Sequence, residues 1–330
     1  MTDNFSNNKR IAINTLMLYI RMFLVMAISL YTSRIILNTL GVEDFGIYNV
    51  VGGVITMLGF LTSSLSGAGS RFITFALGKG DKEEQGQVYA TVTIIHYLLA
   101  GIIVLLGETV GLWFVYNKLI IPVVRMEAAL WVYHCSILTM VIAIISTPYN
   151  ALIIAHEKMS IFAYISVVEI VLKLAIVLVL VYIPYDKLIT YPIFLMLVQL
   201  LIRVAYNTYC RKSFQESKAE LKWYPKLIKE MSVYAGWTMN GNLAAVGYTQ
   251  GINILLNLFF GPLVNAARGI AVQVQAAVMT FVNNFQTAVR PQIVKSYALN
   301  ELKYMHSLIV RSSKFGYYLV LILAFPIILC

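Results

Sequence analysis

The chain has 330 residues, a length that by itself favours two or three soluble domains. Its composition excludes this, because 59% of the residues are hydrophobic, only 12% are charged and the mean hydropathy is +0.77. So few charges cannot cover a water-facing surface, since soluble domains are about a quarter charged. The chain is therefore predicted to be an all-α, polytopic membrane protein.

Nine apolar stretches follow one another along the sequence. A helix needs about 20 apolar residues to cross the hydrocarbon core of a bilayer. A β-barrel would instead show segments of about ten residues with strict alternation, whereas 161–183 is apolar on every face. Eight whole spans and an interrupted ninth are predicted at 11–37, 46–77, 88–115, 128–155, 161–183, 189–209, 230–260, 264–289 and 308–330.

The connections between these spans alternate in charge. The odd connections are short and the even ones are basic: 78–87, 156–160, 210–229 and 290–307. The N-terminus and the even side hold 17 Lys and Arg residues against 4 on the other side. Lysine and arginine accumulate on the cytoplasmic side, so the chain is predicted to lie in a bacterial inner membrane with its N-terminus in the cytoplasm. Topology accounts for the net charge of +10, and no nucleic-acid partner is predicted.

A weak repeat relates the two ends of the sequence at an offset near 220 residues. Residues 37–46 and 256–265 each open a helix rich in small residues that ends in an arginine, Arg71 or Arg290. Six spans separate the two copies, so they share an orientation, as in parallel transporter repeats. We expect a six-helix lobe at 1–209, a cytoplasmic linker at 210–229 and a partial second lobe at 230–330, cut short by the end of the chain.

No enzyme site is assembled in the sequence. There is no phosphate-binding P-loop and no Gly-x-Ser-x-Gly turn, and after His156 and Glu157 a serine, Ser160, stands where a zinc protease needs its second histidine. Three cysteines without metal-ligand spacing are interpreted as apolar filler: Cys135, Cys210 and Cys330. We predict neither a catalytic residue, nor a metal, nor a cofactor.

Charged side chains inside the spans are the candidate functional residues. Each costs roughly 2.5–3.5 kcal/mol near the bilayer centre and should face protein or water. Arg21 lies in the middle of the first span, without an acid on its own helix, and Arg34 lies about 20 Å further along the axis. Arg34 either lines a cavity or reaches the outer interface. Glu169 and Lys173, at i and i+4, form either a structural ion pair or a coupling site.

The seventh span is the most polar. Asn242, Thr249, Asn253 and Asn257 lie on one stripe, with Gln250 beside it and glycines between. Such a stripe either joins helices through amides or forms the wall of a wetted cavity.

Several strings resemble the oligosaccharide flippase family of the superfamily that also contains multidrug and toxin extrusion antiporters. They are YTSRIILNTLGVEDFGIY at 31–48, YAGW at 234–237, QGINILLNLFFGP at 250–262, NAARGIA at 265–271 and NFQTAVRPQIVKSY at 284–297. The resemblance implies two six-helix lobes around a cavity that opens alternately to each side. It also implies export of undecaprenyl-diphosphate-linked oligosaccharides for surface polysaccharides such as lipopolysaccharide, with membrane lipid as a partner. Either an ion gradient, with a coupling cation, or the membrane potential is expected to drive this export.

Arginines suit this cargo, because a guanidinium binds phosphate with two parallel hydrogen bonds. The predicted cavity residues are Arg21, Arg34, Arg71, Asn242, Thr249, Gln250, Asn253, Arg268 and Arg290, although Arg71 and Arg290 equally suit plain cytoplasmic anchors. A cation-coupled drug antiporter of the same fold is the alternative, but its cargo would prefer acids in the cavity. A membrane-embedded polymerase or acyltransferase would need larger outer loops than this chain has.

Overall fold

The computed structural model describes the backbone of residues 2–56 and 59–329. It also describes their side chains except at 2–8, 56, 60, 61, 63, 326–329 and scattered positions between 246 and 273. The described chain is all-α, which confirms the predicted fold class. The α-helices are α1 (Thr2–Thr56), α2 (Gly59–Lys79), α3 (Lys82–Leu106), α4 (Leu112–Lys118), α5 (Met126–Ala155), α6 (Met159–Leu180), α7 (Lys187–Ser213), α8 (Pro225–Ala298) and α9 (Leu302–Leu329).

Six candidate membrane spans occur in the described ranges: Lys9–Ile55, Lys82–Lys118, Val123–Ala155, Met159–Leu180, Lys187–Ser213 and Leu302–Phe325. Large apolar side chains of these spans lie exposed, among them Leu30, Leu105 and Tyr164. Exposed apolar surface of this kind is compatible with lipid and not with water. The chain is therefore a multi-pass membrane protein.

Gly41 divides α1 into two crossings. Its φ of 79° and ψ of 169° belong to a region that essentially only glycine adopts without strain. Before the break, Ile36 packs near Val177 and Leu180. After it, Val51 packs beside Val132 in α5. The predicted connection at 38–45 is thus a sharp break inside one helix and not a separate loop.

The long helix α8 also folds back on itself. The ring of Tyr234 lies 5.9 Å from that of Phe72, and the ring of Tyr297 lies 6.1 Å from that of Phe75, one turn further along α2. A straight helix would separate Tyr234 from Tyr297 by about 95 Å. The chain therefore reverses between them, as the two predicted spans require, although their predicted connection at 261–263 lies within the bounds of α8.

Charged contacts define two faces of the helix bundle. At one end of the bundle, which we name the inner face, Arg10 near the N-terminus and Lys295 near the end of α8 both contact Glu157 in the α5–α6 turn. At the opposite end, which we name the outer face, Asp44 and Asp186 both contact Arg125. The even connections thus meet at one end of the bundle and the odd connections at the other, which matches the predicted alternation of the spans.

Two apolar clusters hold the α1–α7 bundle together. The larger joins α2, α3, α5 and α7 around Tyr89, Leu152 and Tyr206. The second lies beneath the outer face, where Val51 and Val115 pack around Tyr133. These clusters hold together the bundle against which α8 packs. The first part of α8 lies along α2, and its last part contacts α1 through Phe281 and α2 through Tyr297.

Candidate functional site

Arg21 is a half-buried cation in the first crossing of α1. Its guanidinium carbon lies 4.6 Å from the ring centroid of Phe162 in α6, a distance typical of a cation–π contact. Its Nε is buried without a hydrogen-bond partner among the described residues. Tyr206 of α7 and Glu169 of α6 are its electrostatic neighbours. Arg21 of α1 therefore faces α6 and α7, and its Nε–H makes no hydrogen bond to any described residue.

The acid nearest to this arginine is already paired. Nζ of Lys173 donates to Oε1 of Glu169 at 2.6 Å, so the predicted i, i+4 pair forms on α6. The pair is partly buried, with side-chain exposures of 34% for Lys173 and 25% for Glu169. Because Lys173 already neutralises Glu169, the positive charge of Arg21 is not cancelled by a dedicated partner.

Arg71 and Asn242 lie at the contact between α2 and α8. The guanidinium carbon of Arg71 lies 4.5 Å from the ring centroid of Tyr234. Nδ2 of Asn242 donates to Oγ of Ser64 at 2.8 Å. Arg71 and Asn242, which were both predicted to line the cavity, therefore connect α2 to α8 in this conformation. For Asn242 this agrees with the alternative that the polar stripe joins helices through its amides.

The other predicted residues occupy separate places. Arg34 is exposed near the outer end of the first crossing of α1, and Arg268 is half-buried on α8. Arg290 is exposed and lines a cavity of about 480 Å³ between α8 and α9, together with Gln286 and Ser312. The side chains of Thr249, Gln250 and Asn253 lie outside the described part of the structure.

The α5–α6 turn carries an ionic cluster on the inner face. The carboxylate of Glu157 accepts hydrogen bonds from Nζ of Lys295 at 2.8 Å, Nε2 of Gln292 at 3.2 Å and a terminal nitrogen of Arg10 at 3.3 Å. Burial alone would raise the pKa of Glu157, but these donors outweigh it and the pKa lies below its usual value. Glu157 is therefore a buried anion that joins α1, the α5–α6 turn and α8.

The preceding residue of the same turn holds the segment between α7 and α8. The ring of His156 stacks on that of Phe214, with centroids 4.1 Å apart, and its Nε2 contacts the carboxylate of Glu216. The hydroxyl of Ser217 donates to the carbonyl oxygens of Phe214 and Cys210, which closes the short helical turn at Gln215–Lys218. The segment 210–229 is thus docked on the bundle at this point.

A single arginine connects the outer connections. The guanidinium of Arg125 donates to both carboxylate oxygens of Asp44 and to both of Asp186. Asp186 also caps α7, because its Oδ1 accepts from the backbone nitrogen of Leu188 at 2.9 Å. One side chain thereby holds the turn after Gly41 and the starts of α5 and α7.

Beneath this cluster lies a cavity of about 530 Å³ between α1, α5 and α7. Glycines 52 and 53, Met140 and Leu195 form part of its wall. The hydroxyl of Ser136 in this wall donates to the carbonyl oxygen of Val132 in its own helix. The cavity is largely apolar, and none of the described residues that line it carries a charge.

The family described as "Polysaccharide biosynthesis protein" matches residues 11–297 of this chain. The match covers most of the sequence, including α1, the α5–α6 turn and nearly all of α8. The chain belongs to this family.

Solved transporter structures share the fold of this family member. An outward-facing multidrug resistance MATE family transporter of the MOP superfamily has a TM-score of 0.80 at 13% identity, covering 95% of this chain and 70% of that one. A MOP superfamily transporter from Pyrococcus furiosus, whose title describes a binding pocket of reversed polarity, has a TM-score of 0.74 at 14% identity, covering 96% and 72%. No curated protein sequence matches significantly. The chain therefore shares the fold of these MOP superfamily transporters.

Sequence reasoning missed two charged clusters of this family member. Glu157 stands out in the sequence only as part of an incomplete zinc motif, and no sequence pattern marks Asp44, Arg125 or Asp186. Glu157, Arg125 and Asp186 lie in connections between α-helices, and Asp44 follows the break at Gly41. The charge surplus of the even connections was a signal only for the cluster around Glu157. Their pairing follows from which connections share a face, which sequence spacing does not specify.

Proposed function

We propose that this chain carries a lipid-linked oligosaccharide diphosphate from the cytoplasmic to the outer leaflet of a bacterial inner membrane by alternating access. The observation that supports this proposal is Arg21, a half-buried cation whose buried Nε has no hydrogen-bond partner among the residues that the structure describes. An unneutralised guanidinium at membrane depth is costly unless it binds something. A diphosphate is a suitable ligand, because its oxygens accept two parallel bonds from one guanidinium.

The surrounding side chains support an anionic cargo. Phe162 holds the guanidinium by its ring face, and Lys173 keeps Glu169 occupied. The hydroxyl of Tyr206 adds a polar group for glycan or phosphate oxygens beside the same arginine. Inner-leaflet loading also agrees with the basic character of the inner face, which we propose is cytoplasmic.

Export by variants of the full chain tests this function. In cells that depend on the chain for surface glycan, Arg21→Ala should abolish export while membrane abundance stays near normal. Arg21→Lys should restore only part, because an ammonium lacks the planar fork. Arg311→Ala is the matched control, since it removes an exposed arginine of α9 that belongs to none of the predicted sites and should export normally. Export by Arg21→Ala at the wild-type level would refute the role of Arg21.

A cation-coupled drug antiporter is the second candidate, because a neighbour of this fold is described as a multidrug resistance transporter. Such a function would use Glu169 as the acid for a cationic cargo. Under this alternative Glu169→Gln would remove drug efflux, whereas under the proposed function it leaves the charge of Arg21 in place and glycan export continues.

A further inference from the structure

Glu157 has an unusual position for a carboxylate at the inner face. It lies in the tight turn between α5 and α6 with a φ of 59°, a left-handed conformation uncommon for residues other than glycine. Its side chain is only 3% exposed. Glutamate is seldom buried unless it is paired, so the turn is shaped to place this carboxylate inward.

Three donors from two helices converge on that carboxylate. Arg10 belongs to α1, and Gln292 and Lys295 belong to the last part of α8. Gln292 is buried, and the hydroxyl of Tyr304 lies 3.5 Å from its Oε1. That contact orients the amide so that Nε2 points at Glu157. Two cations and an oriented amide surround one carboxylate, which leaves one positive charge in excess.

We propose that Arg10, Gln292 and Lys295 form a diphosphate-binding site at the inner face, and that Glu157 occupies it as a built-in competitor. Phosphate and carboxylate oxygens accept the same charge-assisted hydrogen bonds. A diphosphate carries more negative charge than Glu157 and matches the excess positive charge of the donors. This inference rests on the proposed function, because a lipid-linked cargo presents its diphosphate at this depth when it arrives from the cytoplasmic leaflet.

Displacement of Glu157 has a mechanical consequence. Glu157 belongs to the α5–α6 turn, whereas Gln292 and Lys295 belong to α8, so the carboxylate ties α8 to the bundle. A diphosphate that takes over these donors releases the tie. The cargo would thereby favour the conformation in which α8 separates from the bundle at the inner face, since a ligand shifts an equilibrium through its differential affinity for the two states.

Binding measurements on the purified full chain in lipid nanodiscs test this site. The probes are inorganic pyrophosphate and farnesyl diphosphate, measured by titration calorimetry in nanodiscs of uncharged lipid. Glu157→Gln removes the competitor and should bind both probes about tenfold more tightly than wild type, the equivalent of about 1.4 kcal/mol. Adding Lys295→Gln to Glu157→Gln should abolish the gain.

Glu216→Gln is the matched control. It removes one buried carboxylate from the same face, the partner of His156, and should bind the probes with wild-type affinity. An equal gain in Glu216→Gln would show a general charge effect and overturn the site, as would no gain in Glu157→Gln. If Glu157→Gln does not fold, Glu157→Asp retracts the carboxylate by one methylene and should give a smaller gain, whereas wild-type affinity in that variant would overturn the site.

Three further results identify the source of the ligand and distinguish the inner-face site from the proposed function at Arg21. A gain for farnesyl diphosphate alone assigns the site to lipid-linked diphosphates, and a gain for both probes assigns it to the diphosphate group. Elimination of the gain by phosphatidylglycerol in the nanodisc would assign the donors to an ordinary phospholipid headgroup and overturn the proposal. Loss of glycan export in Arg21→Ala with no change in pyrophosphate binding leaves the inner-face site standing independently of the mid-membrane one.

Discussion

Nδ2 of Asn242 lies 2.8 Å from Oγ of Ser64, so α8 is hydrogen-bonded to α2 through side chains in the first part of each helix. This contact belongs to the side of α8 that also places Tyr234 against Arg71. Under the proposed alternating access, helices of the two predicted lobes separate, so this contact is expected to break during transport.

A covalent link at this contact should stop transport. Ser64→Cys with Asn242→Cys should cross-link rapidly with a short methanethiosulfonate reagent, because the two native side chains are in hydrogen-bonding distance. Export should fall on cross-linking and recover on reduction. Each single cysteine variant, treated in the same way, is the control. Rapid cross-linking with undiminished export would show that α2 and α8 move together.

Lys173 should act on export through Glu169. In Lys173→Gln the carboxylate of Glu169 loses its partner at 2.6 Å and becomes available to neutralise Arg21. We expect export to fall by about tenfold, the equivalent of about 1.4 kcal/mol. The double variant Glu169→Gln with Lys173→Gln should recover export, since no acid then remains beside Arg21. A double variant as inactive as Lys173→Gln would contradict this account.

Stability in acid should depend on Glu157. The pKa of Glu157 lies below its usual value in the folded chain, so its contribution is present above the unfolded value of about 4.3 and is lost as the pH falls through the folded value. At pH 6, Glu157→Gln should be less stable than wild type by roughly 1–3 kcal/mol. Thermal unfolding in detergent from pH 6 to pH 3 should show the two melting temperatures converging, and a constant difference would contradict the assignment.

The outer cluster should contribute measurably to stability. Arg125→Gln leaves Asp44 and Asp186 without their shared cation, which should cost roughly 1–3 kcal/mol and lower the melting temperature. Arg125→Lys should recover part, because a lysine cannot bind two carboxylates in bidentate fashion. The variant Lys118→Gln, in α4, removes a cation that lies near Trp113 and forms no ion pair within the described part of the chain. Its melting temperature should equal that of wild type.

Membrane orientation should follow the charge of the two faces. A cysteine at the exposed Lys222 should react with an impermeant thiol reagent only after the membrane is permeabilised, whereas one at the exposed Tyr185 should react in intact cells. Both tests use chains without the native cysteines. Labelling at Lys222 in intact cells would invert the proposed topology.

Much of the architecture was predictable because membrane physics limits the choices. Lengths of apolar sequence placed most spans correctly, and the alternation of connections predicted which ones meet at each face. Elements that depend on one residue were less predictable. Gly41 makes a sharp break where a loop was expected, and α8 extends through the predicted connection at 261–263.

The candidate site was predictable only in part. Arg21 was identifiable because a cation in the middle of an apolar span has few explanations, and the i, i+4 spacing of Glu169 and Lys173 predicted their pair. Phe162 and Tyr206 were not identifiable as neighbours of Arg21, because their proximity depends on how α6 and α7 rotate against α1. The donors to Glu157 were missed for the same reason, since they come from opposite ends of the sequence.

The ion pairs of Arg125 with Asp44 and Asp186 limit where the helix bundle can bend. It closes the outer rim of the α1–α7 bundle into a ring of three connections held at one point. Widening this rim would break several charge-assisted bonds at once, so the bundle resists splaying at that end. An opening at this end is therefore expected at the contact between the bundle and α8. In that case α1–α7 would move as one rigid body relative to α8.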